Sequence, residues 1–152
     1  MKKNNVLRAI VCLAFLLSVH QSRAQNLADI KKEIEKDNAL YFDLFKKNDS
    51  AIVNLYTDDG CLMPPSTPAI CGRAALTKDF KDTYAAGKVK GVKFATLRVY
   101  GDGKEYVTEE GTWQVFGLKN EVIDAGKYLK LWRKTKAGWK IFRDLFNSDH
   151  RG

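Results

Sequence analysis

The sequence predicts an α+β fold, with helices gathered on one face of an antiparallel sheet. Three observations carry this. Apolar residues in the first half recur at three- and four-residue steps, and the second half is dense in β-branched and aromatic residues between glycine-containing turns. The resulting order is three helices and then at least four long strands. At 152 residues, with 45% hydrophobic and 29% charged residues, the chain has the size and balance of one globular domain. It contains no internal repeat, low-complexity tract or interior linker.

The N-terminus stands apart. Residues 1–24 combine a basic start (Lys2, Lys3), an apolar run from Ala9 to Val19, and Ser22-Arg23-Ala24 before Gln25. That pattern predicts a secretory signal peptide cut after Ala24, too short to remain as a membrane span. The expected mature domain is 25–152, exported to a periplasmic or extracellular space without a stable membrane anchor. Removing Lys2, Lys3, Arg8 and Arg23 from the 26 basic residues leaves 22 against 18 acidic ones, a modest excess of about +4. The basic residues are mixed with acids, and no basic cluster interleaved with aromatics predicts nucleic-acid binding.

Taking the elements in order, Asn26 is placed to cap a helix from Leu27 to about Lys47, with Leu27, Ile30, Ile34, Tyr41, Leu44 and Phe45 on its apolar face. Asp49 offers a second cap for a short helix, Ser50 to Tyr56. Thr57-Asp58-Asp59-Gly60 reads as a turn, and Cys61-Leu62-Met63 as a brief strand stopped by Pro64-Pro65. A third helix is expected over Ala74 to Ala86, with Leu76, Phe80 and Tyr84 on one face and Gly87 as its stop. From Val92 the pattern is β: a strand to Tyr100, a turn at Gly101-Asp102-Gly103, a return from Glu105 to Phe116, and a loop at Leu118 to Val122. A last hairpin spans Gly126 to Asp149 and reverses at Lys136, Ala137 and Gly138.

With the signal peptide gone, Cys61 and Cys71 are the only cysteines left, flanking a loop that holds all three prolines. An oxidising compartment favours a disulfide between them, and two free buried thiols are the alternative. A metal site is not expected, because the mature chain has a single histidine, His150. No phosphate loop or nucleophile motif predicts a cofactor.

The order of elements and several segments resemble the ketosteroid isomerase-like, SnoaL-like branch of the nuclear transport factor 2-like superfamily. Those segments are Ile52-Val53-Asn54-Leu55-Tyr56-Thr57-Asp58-Asp59, Pro64-Pro65, Cys71-Gly72-Arg73, Gly126-Lys127-Tyr128, Gly138-Trp139-Lys140-Ile141, Arg143-Asp144 and Asn147-Ser148-Asp149. The resemblance covers essentially the whole mature chain. It implies a strongly curved antiparallel sheet closed by three N-terminal helices into a cone with an internal pocket, and a homodimer through the outer sheet face. In ketosteroid isomerases an aspartate soon after the Asp-Asp turn takes the proton, while a helix tyrosine and a protonated strand aspartate hold the oxyanion. Here the base position falls on Pro64, which has no proton to exchange. The tyrosine falls on or next to Tyr41, and the strand aspartate near Lys130, so the steroid isomerase mechanism is not expected.

Alternation along the last strand puts Phe142, Asp144 and Phe146 on one face, and by the resemblance that face lines the pocket. A carboxylate between two phenylalanines is desolvated, which raises its pKa toward a range useful for general acid–base work. The plainer reading pairs Asp144 with a lysine such as Lys130 across the hairpin. Glu109 shares a face with Val107, Gly111, Trp113 and Val115, and the sequence does not say whether that face is inner or outer. The candidate catalytic residues are therefore Asp144, Glu109 and Tyr41. The candidate ligand-binding residues are Tyr41, Phe45, Tyr56, Lys130, Trp132, Phe142 and Phe146, for several of which ordinary core is the alternative. Three functions follow: a binder of a small, largely apolar molecule, a proton-transfer enzyme (isomerase, lyase or cyclase), or a module for dimerisation or partner binding.

Overall fold

In the computed structural model, which describes residues 26–150, the apolar stripe of the first helix (α1, residues 26–46) faces a curved sheet. Ile30, Ile34, Tyr41 and Phe45 are buried along it, and so is Asn38, a polar residue in register with the same stripe. The expected signal peptide over 1–24 lies outside the described residues. No helix among the described residues is long and apolar enough to cross a membrane.

Asp49 caps the next segment, its side chain accepting from the Ala51 N–H at 2.9 Å, but Ser50–Leu55 is a 3-10 helix. Strand β1 (Tyr56–Met63) then starts five residues earlier than expected and absorbs Thr57-Asp58-Asp59-Gly60, which read as a turn. The reason lies in its pairing. Tyr56 opposes Ile141 and Cys61 opposes Arg143, so the turn-prone residues form a bulge in the ladder rather than ending it. Gly60 makes the bulge tolerable, since a Cβ there would stand 3.0 Å from the Ile141 and Thr57 carbonyl oxygens.

Strand β2 (Ile70–Cys71) returns antiparallel to β1, with Cys61 opposite Cys71, and a disulfide joins the two residues. Helix α2 (Arg73–Ala85) buries Leu76 and Phe80, and Tyr84 packs edge-on to Phe45 of α1. Four long strands follow: β3 (Gly91–Gly101), β4 (Tyr106–Phe116), β5 (Val122–Thr135) and β6 (Gly138–Ser148).

The strand order is β2-β1-β6-β5-β4-β3. Neighbours are antiparallel except β1 and β6, which run parallel, so the sheet is mixed where a wholly antiparallel one was expected. The helical elements also differ from three N-terminal helices: one is 3-10, and α2 follows β1 and β2. Four of the five pairings carry a register shift, and such irregularities bend strands and increase twist. The open six-stranded sheet thus folds over α1 and α2, and the core of Ile34, Tyr56, Leu76, Val107, Trp132 and Ile141 fills the space between.

Candidate functional site

Three charged side chains lie side by side on the inner sheet face. Glu109 of β4 opposes Lys130 of β5, which opposes Asp144 of β6, and all three are buried. Directly opposed residues on one face are near neighbours, so the pairing fixes this row. The inner placement of Glu109 follows from the alternation that also buries Val107 and Trp113.

Each member of the row is held differently. Glu109 accepts four hydrogen bonds: from Asn38 Nδ2 (2.7 Å), Thr96 Oγ1 (2.7 Å) and the Tyr128 hydroxyl on Oε1, and from Trp132 Nε1 (2.9 Å) on Oε2. Fully buried behind these four donors and absent from the cavity wall, it is out of reach of a ligand. Lys130 Nζ donates to Asn38 Oδ1 at 3.0 Å and lies 3.2 Å from the Phe94 ring centroid, 4.8 Å from that of Tyr128 and 5.8 Å from that of Tyr41. Burial pushes its pKa down, against the pull of Asp144 and Glu109. Asn38 thereby ties the acid to the base, donating to one and accepting from the other.

Asp144 has fewer partners. The Tyr56 hydroxyl donates to Oδ2 at 2.9 Å, and among the described residues nothing donates to Oδ1. Burial raises its pKa, opposed by the Lys130 charge and the Tyr56 hydrogen bond and reinforced by Glu109. Tyr41 comes next, its hydroxyl coupled to that of Tyr56, and burial and the Asp144 charge raise the pKa of both phenols. Both remain protonated donors across the physiological range.

A cavity of about 310 Å³ opens beside Asp144. Tyr41, Phe45, Phe80, Phe94, Trp113 and Phe146 supply aromatic walls, and Leu62, Val89, Val92 and Val115 aliphatic ones. Pro64 also lines it, as do Asp79, Thr83 and Asp124. Of the residues singled out from sequence, Tyr41, Phe45, Asp144 and Phe146 come together on this cavity. Tyr56, Glu109, Lys130 and Trp132 lie behind the wall, fully buried, and reach it only through the hydrogen-bond network.

Phe142 does not share the Asp144 face. The β5–β6 register shifts between Leu131 and Trp132, so Trp132 opposes Ile141 and Leu131 opposes Arg143, and Phe142 is the extra residue. It packs instead against Tyr106 and between the guanidinium groups of Arg133 (4.5 Å) and Arg143 (3.7 Å). Strict alternation fails at one bulge, and every residue before it changes face. Sequence reasoning also missed Asn38, Thr96 and Tyr128, and the cavity residues Asp79, Trp113 and Asp124. For Asn38 a signal existed: it is a polar residue four after Ile34 and three before Tyr41, inside an otherwise apolar stripe. No group of three or more His, Cys, Asp or Glu among the described residues is arranged to hold a metal ion.

No protein-family model matches the sequence, and no curated protein matches it. Solved structures do match. A ketosteroid isomerase-like protein from Erwinia carotovora atroseptica superposes with a TM-score of 0.62 at 23% identity, covering 78% of this chain and 95% of the other. An NTF2-like protein with a cystatin-like fold from Novosphingobium aromaticivorans gives 0.68 at 20% identity, covering 92% and 90%. An NTF2-like superfamily protein from Salmonella enterica serovar Typhimurium gives 0.60 at 14% identity, covering 82% and 94%. The chain therefore has the fold of ketosteroid isomerase-like and nuclear transport factor 2-like proteins. At these identities the likeness is one of fold, and that fold hosts unrelated functions.

Proposed function

We propose that this protein binds a small, largely apolar molecule in the cavity between α1, α2 and the inner sheet face. The observation that carries the reading is a space of about 310 Å³ with six aromatic rings in its wall and one buried carboxyl group, Asp144, presenting an unpartnered oxygen. Apolar walls with a few convergent polar groups are what a small-molecule site requires. A packed core would have closed over such a space, because protein interiors hold few voids larger than a water molecule. Export to an oxidising compartment, with which the Cys61–Cys71 bond is consistent, is part of the same proposal.

The test is a thermal-shift and NMR screen with one- and two-ring aromatic alcohols, ketones and amines. Hits should perturb Trp113 and lose affinity in Phe146→Ala. If no member of the panel binds, or if binding survives every change to the cavity wall, the proposal fails.

A second reading is favoured by one specific feature: Asp144, with its raised pKa, and the donor Tyr41 line the same cavity. Together they form the acid–base and hydrogen-bonding pair of a proton-transfer enzyme. Asp144 would take a proton from carbon next to a ligand carbonyl and return it, while Tyr41 donates to the carbonyl oxygen. Glu109 is not part of this scheme, being fully buried behind the cavity wall. Pro64 in the wall argues against the steroid isomerase arrangement. Protein-dependent exchange of deuterium from solvent into such a ketone, lost in Asp144→Asn, is the expected result, and exchange no faster than in buffer rejects it. A homodimer through the outer sheet face completes the proposal, with exposed Leu97, Leu129 and Leu145 as its contact.

A further inference from the structure

We propose that the cavity selects a small hydrophobic cation, a protonated amine on an aromatic or aliphatic body, over neutral and anionic molecules of the same shape. This rests on the cavity being a ligand site and adds the charge of the ligand.

Three residues that carry formal charge line the cavity, and all three are acids: Asp79 of α2, Asp124 of β5 and Asp144 of β6. Among the described residues no Lys, Arg or His lines it, although the whole chain carries 26 Lys and Arg against 18 Asp and Glu. A basic protein has lined its hollow with acids alone. The aromatic walls act in the same direction, apart from Phe94, whose ring already holds Lys130 Nζ at 3.2 Å, since the face of an aromatic ring attracts cations, and more strongly where water is excluded.

Lys130 offsets only part of the negative charge in its row, one cation against two acids. Lys130 is directed to Asn38 and to the Phe94 ring, behind the wall, and the row it belongs to holds two acids, Glu109 and Asp144. Glu109 is buried behind the wall with four donors, which leaves Asp144, a lining residue with only its Oδ2 engaged among the described residues, as the buried acceptor on the cavity. A ligand ammonium there would gain a charged acceptor in a low-dielectric site, with Tyr41 and Phe146 beside it.

Asp124 stands nearer solvent, its side chain 35% exposed and its Oδ1 held by Ala125 N and Ser148 Oγ, with His150 Nε2 at 3.7 Å. Ser148, its partner, is four residues along β6 from Asp144, about 13 Å at the strand rise, so Asp124 stands well apart from Asp144. Asp124 and the half-buried Asp79 thus add negative potential at less buried parts of the cavity wall, where it concentrates cations and repels anions.

The experiment is calorimetric titration of the full chain at about pH 7.5 with three matched probes: phenethylamine, protonated there, 2-phenylethanol and phenylacetate. The amine is expected to bind at least about tenfold more tightly than the alcohol, and phenylacetate more weakly than either. Asp144→Asn should bring the amine and alcohol close to parity while the alcohol still binds. Asp79→Asn and Asp124→Asn, at less buried positions, should each reduce the amine-to-alcohol ratio, which keeps the test decisive if Asp144→Asn does not fold. An alcohol or phenylacetate that binds as well as the amine overturns this inference and leaves the cavity as a ligand site. A ratio unmoved by all three substitutions also overturns it. Failure of all three probes to bind, with no perturbation at Trp113, removes the ligand site itself and this inference with it.

Discussion

Lys130 has no exposed surface, and its ammonium is held by one amide oxygen and the faces of aromatic rings. Burying a charge this way is tolerable only with countercharge nearby, which Glu109 and Asp144 provide from the strands on either side. Lys130→Met removes the cation and leaves two buried acids facing each other across β5. We expect a loss of about 3 kcal/mol near neutral pH, in the range for breaking a buried charge set by removing one member. The loss should shrink as pH is lowered and Asp144, whose pKa burial raises, takes up a proton, and urea denaturation at neutral and at acidic pH reads the difference. Asp144 also makes a prediction of its own. Its folded pKa lies above the ordinary 3.8, so between those two values the native state holds more protons than the unfolded chain. Stability must then fall as pH rises through that interval. Asp144→Asn removes this contribution, so the variant should gain on the wild type as pH is raised from about 4 toward 7. Melting temperatures of the two proteins across that range test it, and a constant gap would show that Asp144 does not titrate above its unfolded value.

At the level of single elements, glycines and bulges decide what reaches the site. Gly111 of β4 opposes Tyr128 of β5, and a Cβ on Gly111 would lie 2.3 Å from the Tyr128 hydroxyl and 2.5 Å from the Ala95 carbonyl oxygen. The phenol crosses over Gly111 to reach Glu109. Gly111→Ala should cost about 1–3 kcal/mol, the usual range for overpacking, and perturb the Tyr128 ring resonances. Wild-type stability in that variant would show that the strand yields without loss. The two-residue strand β2 depends on a different device, the Cys61–Cys71 bond, which closes a loop at a sequence separation of 10. The paired substitution Cys61→Ser with Cys71→Ser should destabilise by about 2–3 kcal/mol in the chain-entropy picture. Equal denaturation midpoints with and without the bond would contradict it. The elements themselves were largely legible in the sequence. The stripe of α1 and the β5–β6 hairpin each follow from periodicity and turn chemistry within a few residues of where they occur. The bulges were not, because Thr57 to Gly60 and Phe142 look locally like a turn and an alternating strand. Only the pairing with a partner strand reveals the extra residues.

Across the whole molecule, the same sheet presents two faces of different character, and the sequence revealed the inner one only in part. Asp144 and Tyr41 were recognisable as polar groups among aromatics. Whether each touches the cavity or stands behind it, as Glu109, Lys130 and Trp132 do, depends on how far the sheet curls over α1, and strand alternation carries no information on that. The outer face has its own pattern. Leu97 (54% exposed), Leu129 (48%) and Leu145 (50%) line a shallow groove across β3, β5 and β6, with Leu129 directly opposite Leu145. Apolar side chains grouped on an exposed sheet face mark an interaction surface, and a second copy of the chain offers the matching face by symmetry. The protein should therefore sediment as a dimer at micromolar concentration. Replacing Leu129 and Leu145 together by lysine puts like charges at the contact and should yield a monomer. Because both side chains point away from the cavity, that monomer should keep its melting temperature and its response to cavity ligands. A wild-type protein that sediments as a monomer at every concentration would leave the outer face without this role, and a monomeric variant that had lost ligand response would show that the two faces are not independent.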